Sequence, residues 1–135
     1  VKIVLDASVA VAAVRPNEPD HPAARVRVDS ILTGQDTLVV PALFPIEVTA
    51  ALARRAGWPY AKIAAYVARL LAPPCRVVTI GTRRAHAASQ LAATTRLRAA
   101  DAVYVWVASH EGLLLVSSDD EILQRGAAVC QVQRP

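Results

Sequence analysis

The chain is poor in cysteine, in lysine and in long apolar runs, and each shortage removes a class of protein. Its two cysteines, Cys75 and Cys130, lie far apart and match no zinc-ligand spacing. Beside strands, and in a reducing compartment, they read as buried free thiols. No apolar stretch approaches the ~20 residues of a membrane span. The greasiest segment, Val103–Ala108, is far too short. The N-terminus enters a strand within two residues and lacks the basic, apolar, small-residue sequence of a signal peptide. These features predict a cytoplasmic protein with no membrane segment. Repeats, linkers and low-complexity stretches are missing as well. The expectation is a single domain over residues 1–135, long enough to bury a sizeable core.

Lysine occurs only at Lys2 and Lys62, against thirteen arginines, and the net charge is +4. An Arg-rich positive surface suits a polyanion, because guanidinium pairs with phosphate bidentately. The hydrophobic content of 54% is high for a chain without a membrane span, and the surplus suits a dimer or partner interface.

What is present is a succession of short apolar runs alternating with helical patterns. Lys2–Leu5 reads as a buried strand that ends at Asp6 and leads into a helix over Val9–Val14. A polar, proline-marked loop follows, then a helix over His21–Leu32. Thr37–Val40 is a second strand, followed by a helix over Leu43–Arg55 that Gly57 stops. Tyr60–Ala72 carries Ile63, Tyr66, Val67 and Leu70 on one helical face. Arg76–Ile80 is a third strand. Helices over Thr82–Thr95 and Ala99–His110 precede a fourth strand, Leu113–Val116, whose apolar run predicts a central place in the sheet. A short helix over Asp119–Arg125 and an edge strand over Ala128–Val132 complete the chain. Apolar strands alternating with helices predict an α/β fold, a three-layer α/β/α sandwich around a five-stranded parallel sheet.

Of the eleven acids, Glu18, Asp20, Asp29, Asp36, Glu111 and Glu121 sit in polar or turn-like stretches and read as solvated surface. Four others adjoin apolar runs: Asp6, Glu47, Asp101 and Asp119, with Asp120 ambiguous beside the last. Right-handed crossovers put all strand C-termini at one edge, where the following helices begin. That places Asp6, Glu47 and Asp119 together. Asp101 joins them if the preceding helix returns to the same edge. Each has a plainer reading: Asp6 and Asp119 as helix caps, Glu47 and Asp101 as first-turn acids favoured by the helix dipole. Sharing a crevice while ionised, they need a cation. An all-oxygen set suits Mg²⁺ or Mn²⁺, which holds a phosphodiester and activates water. None of His21, His86 and His110 falls in a paired motif that marks a general base.

Four segments, Val4–Val9, Pro45–Val48, Leu97–Tyr104 and Leu115–Asp119, together resemble those of the PIN-domain ribonucleases, and within them the VapC-type toxins of bacterial toxin–antitoxin pairs. The resemblance spans nearly the whole chain. It implies Mg²⁺-dependent endoribonuclease activity on RNA, with Mn²⁺ as a possible substitute, a homodimer, and inhibition by a cognate antitoxin. Carried over, Asp6, Glu47, Asp101 and Asp119 form the catalytic and metal-binding set. Ser8 and Ser117 match the small hydroxyl positions that orient ligands, and Asp120 either shares the metal role or begins the last helix. Arg15, Arg83, Arg84, Arg96 and Arg98 are candidate RNA contacts. An antitoxin helix would dock in the groove of helices 43–55 and 60–72, with an antitoxin arginine reaching the acids.

Asp-nucleophile phosphatases need a second Asp where this chain has Ser8, and a late lysine where it has none after Lys62; a phosphoacceptor domain fails on the same lysine. An inactive PIN-like module binding RNA or protein is the remaining alternative, and the full set of four acids argues against it.

Overall fold

The computed structural model describes residues 1–135. Five parallel strands, β1 (Lys2–Leu5), β2 (Thr37–Pro41), β3 (Arg76–Val78), β4 (Leu114–Val116) and β5 (Val132–Gln133), form one sheet in the order β3-β2-β1-β4-β5. Seven helices connect them: α1 (Ala7–Ala12), α2 (His21–Leu32), α3 (Leu43–Ala56), α4 (Tyr60–Leu70), α5 (Thr82–Thr95), α6 (Ala99–Glu111) and α7 (Asp120–Arg125). The expected α/β sheet is therefore present.

The strand order reverses once. From β1 the chain moves outward through β2 to β3, then crosses back to β4 on the other side of β1. Right-handed crossovers then set α1–α4 on one face and α5–α7 on the other. The packing follows suit: α1 touches α2 and α3, and α4 touches α2 and α3, while α6 lies on α5 and across β1, β2 and β4. The gap between the C-terminal ends of β1 and β4 is the switch point of the sheet, where open α/β folds bind ligands.

Burial explains why these segments form strands. Val4, Leu5, Val40, Leu115 and Val116 are fully enclosed, as apolar runs covered by helices on both faces must be. Phe44, Leu52, Tyr104 and Ile122 fill the space between sheet and helices. The amphipathic face predicted for α4 is the face it buries: Ile63, Tyr66, Val67 and Leu70. No helix is long and apolar enough to cross a membrane.

Several boundaries differ from the sequence reading. The first helix starts at Ala7, two residues early. The Leu113 amide bonds to the Ala108 carbonyl, so Leu113 closes α6 and does not join β4. It is β1 that is central; β4 is interior, between β1 and β5. The last strand is displaced from Ala128–Val132 to Val132–Gln133. Gly126–Ala128 makes a single 3₁₀ turn, and the Gly126 carbonyl takes the amides of both Val129 and Cys130. Those donors are then lost to a ladder. The two cysteines are free but only half buried, and partial burial pushes the Cys130 thiol up to about 11.

Helix α5 ends at Arg96, which sits at φ 60°, in the left-handed region. The reversal turns the chain so that α6 starts at the switch-point edge. A side chain at that position costs about 1 kcal/mol that glycine does not. Arg96→Gly is therefore expected to stabilise the protein by about 0.5–1 kcal/mol in urea denaturation. Destabilisation would mean that the Arg96 side chain outweighs its strain.

Candidate active site

The four acids come from four separate segments. Asp6 follows β1, Glu47 lies in the second turn of α3, Asp101 in the first turn of α6, and Asp119 follows β4. All four line one groove of about 340 Å³ at the switch point, together with Ser8, Arg55 and Arg98. The sequence expectation that topology would gather them is met, and α5 does return the chain to this edge.

Asp6 is the deepest of the four, 6% exposed. It occupies the N-cap position of α1, yet its side chain caps nothing. It accepts from Ser8 Oγ at 2.6 Å and Ser117 Oγ at 2.9 Å, both on Oδ2, which leaves Oδ1 without a side-chain donor. The two hydroxyls in turn accept backbone amides, Ser8 from Ser118 at 3.1 Å and Ser117 from Asp119 at 3.0 Å. This network stitches the end of β1 to the end of β4. Burial raises the Asp6 carboxyl to about 6; the serine bonds oppose that rise, and the charges of Glu47 and Asp101 add to it.

Glu47 is held above its ordinary range chiefly by burial, with the charge of Asp101 adding to the rise. It lies beyond the first turn of α3, so a dipole role does not account for it. Its Oε1 is buried and has no hydrogen-bond partner, and neither has the Tyr104 hydroxyl nearby. Asp101 is raised by burial and by the charge of Asp119, while Arg98 pulls it back. Asp119 serves two purposes. Its Oδ1 caps α7 by accepting from Glu121 and Ile122 amides at 2.8 and 3.2 Å, and its Oδ2 faces the groove. The cap reading is thus correct for Asp119 and incomplete.

Glu121 belongs to this site although its polar surroundings read as surface. Carboxylate oxygens of Asp101, Asp119 and Glu121 all lie within 4.8 Å of one another. The overlooked signal was position: two residues after an N-cap acid, a first-turn side chain turns back toward the cap. Arg98 spans the three acids, at 3.0 Å from Asp101, 2.9 Å from Asp119 and 3.4 Å from Glu121. Asp120 does not join them. It is exposed and pairs with Arg134 beside an adjoining pocket.

The remaining arginines separate. Arg15 is tied to Glu18 at 2.9 Å. Arg84 donates to the Thr79 carbonyl and lies over the Trp106 ring. Arg83 is exposed on α5 and lines no part of the groove. Arg55, which no sequence pattern marked, lines both the groove and its adjoining pockets and makes no ion pair. Among the histidines, His21 bonds to the Ala12 carbonyl and His110 stacks on Trp106, so neither serves the site.

The donor set fits a hard divalent cation. Asp6, Glu47 and Asp101 offer carboxylate oxygens held partly desolvated, one carboxylate oxygen is orphaned, and their mutual repulsion disfavours full ionisation. A carboxyl raised on folding stabilises the protein below its unfolded pKa of 3.8, and that contribution is lost as pH climbs through about 6. Metal-free Asp6→Asn keeps an oxygen for both serines and carries no charge. It is expected to be more stable than the wild type at pH 7, by up to about 3 kcal/mol. The difference should shrink toward pH 4. Urea denaturation in chelator across this range checks both; a variant less stable at pH 7 would contradict the desolvation argument.

Comparisons with known proteins bear on the fold and the family. No curated protein matches the sequence. Among solved structures, the chain is similar to the Mycobacterium tuberculosis toxin VapC20, described as sarcin–ricin loop cleaving, at 19% identity and TM-score 0.76, covering 98% of this chain and 99% of that one. It is similar to PAE2754 of Pyrobaculum aerophilum at 21% identity and TM-score 0.70, over 98% and 83%. It is similar also to VapBC-5 of M. tuberculosis, from the VapBC family of toxin–antitoxin systems, at 20% and 0.60, over 99% and 98%. At such identities the likeness speaks for the fold. The sequence itself carries the family: the PIN domain profile matches residues 3–128, and the chain belongs to the PIN domain family.

Proposed function

We propose that the protein is a Mg²⁺-dependent endoribonuclease and the toxin of a toxin–antitoxin pair. The observation that carries this reading is the convergence of Asp6, Glu47, Asp101 and Asp119 in one groove of a PIN-family chain. Asp6, Glu47, Asp101 and Asp119 would hold the ion, with Mn²⁺ as a substitute. When bound, the ion supplies positive charge to a phosphodiester and acidifies an attacking water.

The protein's own residues do the rest. Ser8 and Ser117 fix the Asp6 carboxylate by donating to the same oxygen, presenting the other to the groove. Ser117 also positions Asp119 by accepting its amide. No side chain is placed as a nucleophile, so water is the attacking group. Arg55, unpaired at the groove wall, is positioned to take a backbone phosphate of the RNA. Arg83, Arg84, Arg96 and Arg15 are more distant candidates, and Arg98 is already engaged by the acids. Binding of RNA also requires that the positive remainder of the surface offset the acidic groove.

The fold shared with VapC20 and VapBC-5 supports a toxin with a cognate antitoxin, and the apolar surplus supports a homodimer. The sequence reading set the antitoxin between α3 and α4. Those two helices pack against each other, and a second candidate surface is a groove of about 580 Å³ between α2 and α4. Val28, Leu32, Trp58 and Tyr66 line it with Arg25, Lys62, Arg69 and one acid, Asp29, and this net positive, partly apolar lining suits an amphipathic acidic helix.

The test is cleavage of a mixed RNA pool by protein stripped of co-purified partner. Cleavage with Mg²⁺ is expected, with loss in chelator and a fall of at least about 100-fold in folded Asp6→Asn. Arg55→Gln is expected to weaken RNA binding about three- to tenfold without changing the fold. No cleavage by the wild type with Mg²⁺ or Mn²⁺ would favour an inactive binding module instead.

A further inference from the structure

The acidic site divides into two unequal halves. In one, Asp101, Asp119 and Glu121 are already bridged by a cation: the Arg98 guanidinium reaches all three at 3.0, 2.9 and 3.4 Å. In the other, Asp6 and Glu47 face the groove with no cationic partner, and Glu47 Oε1 is buried without any partner. Acids packed this closely require positive charge, and Arg98 is the side chain that forms ion pairs with three of them, all in the first half. An arginine differs from a metal ion here in being covalently tethered and in presenting several N–H donors to planar carboxylates and phosphates.

We propose that Arg98 is the built-in second cation of the site: its guanidinium bridges Asp101, Asp119 and Glu121 in the place of a second ion, so that the groove takes a single divalent ion. The inference rests on the metal-dependent nuclease reading and gives it a stoichiometry and a role for Arg98. Two-metal phosphodiesterases place one ion near the attacking oxygen and one near the leaving oxygen. In this chain Arg98 stands in the second place, with Glu121 as its anchor and not as a metal ligand. Glu121 therefore positions a side chain and needs no contact with the ion.

The experiment counts ions in the absence of RNA. Full-length protein is freed of divalent cations and titrated with Mn²⁺, with free Mn²⁺ followed by electron paramagnetic resonance. The wild type is expected to bind one Mn²⁺ per chain. Arg98→Gln, at a side chain two-thirds exposed and so not needed for folding, is expected to bind two. Arg98→Lys, which keeps the charge, is expected to stay at one. Glu121→Gln is expected to stay at one with affinity within about twofold, whereas loss of a true ligand would cost about tenfold or more.

Two ions in the wild type would overturn the proposal. So would a single ion in folded Arg98→Gln, or a tenfold loss in Glu121→Gln, and either of these leaves the nuclease reading intact. No bound Mn²⁺ in the wild type would instead remove the metal-dependent reading and this inference with it.

Discussion

Like-charge repulsion at the C-terminal end of one parallel sheet is the constraint around which this protein is arranged. The chain gathers carboxylates from β1, α3, α6 and the exit of β4 into one groove, and most of them are partly withdrawn from water. Left alone, such a cluster favours proton uptake or local opening. What holds it is the Ser8–Asp6–Ser117 network. Two hydroxyls donate to one carboxylate oxygen and accept amides from the β4 exit, so residues more than a hundred positions apart share one rigid unit. The backbone groups freed by the end of the sheet are satisfied by the same hydroxyls that orient the acid.

The fold makes this arrangement possible by reversing direction once. Because β4 lies beside β1 on the side opposite β2, the connections leaving the two strands run to opposite faces of the sheet and leave a crevice between them. Between α5 and α6 the chain turns through Arg96 in a left-handed conformation, and α6 then starts at the same edge. A strained backbone residue is thereby tied to the placement of Asp101. On the other face of the sheet, α2 and α4 enclose a separate groove of about 580 Å³.

Most of the architecture was legible in the sequence because its signals are local. Continuous apolar runs such as Ile3–Leu5 and Leu114–Val116 mark strands covered on both faces, and glycines at 57 and 112 mark helix ends. The four principal acids were legible because each interrupts such a run. Signals that depend on packing were not. The last strand was misplaced because Gly126 and its carbonyl, whose role depends on Val105 across the fold, divert Val129 and Cys130 from the sheet. Glu121 was read as surface because its neighbours in sequence are polar, although its neighbours in space are Asp101 and Asp119. Arg55 carried no pattern at all; only the groove reveals it. Arg98 was visible as a basic residue near Asp101, but its bridging of three acids depends on the β4 exit.

If the groove is built to exchange protons for a divalent ion, binding of the ion must release protons near the pH where Asp6 is half ionised. Titration calorimetry with Mg²⁺ in two buffers of different ionisation enthalpy measures that release directly. At pH 6 the account predicts release of at least about half a proton per ion bound, falling toward none at pH 8. Binding of Mg²⁺ at pH 6 with no proton released would contradict it, because the acids would then be fully ionised without a cation.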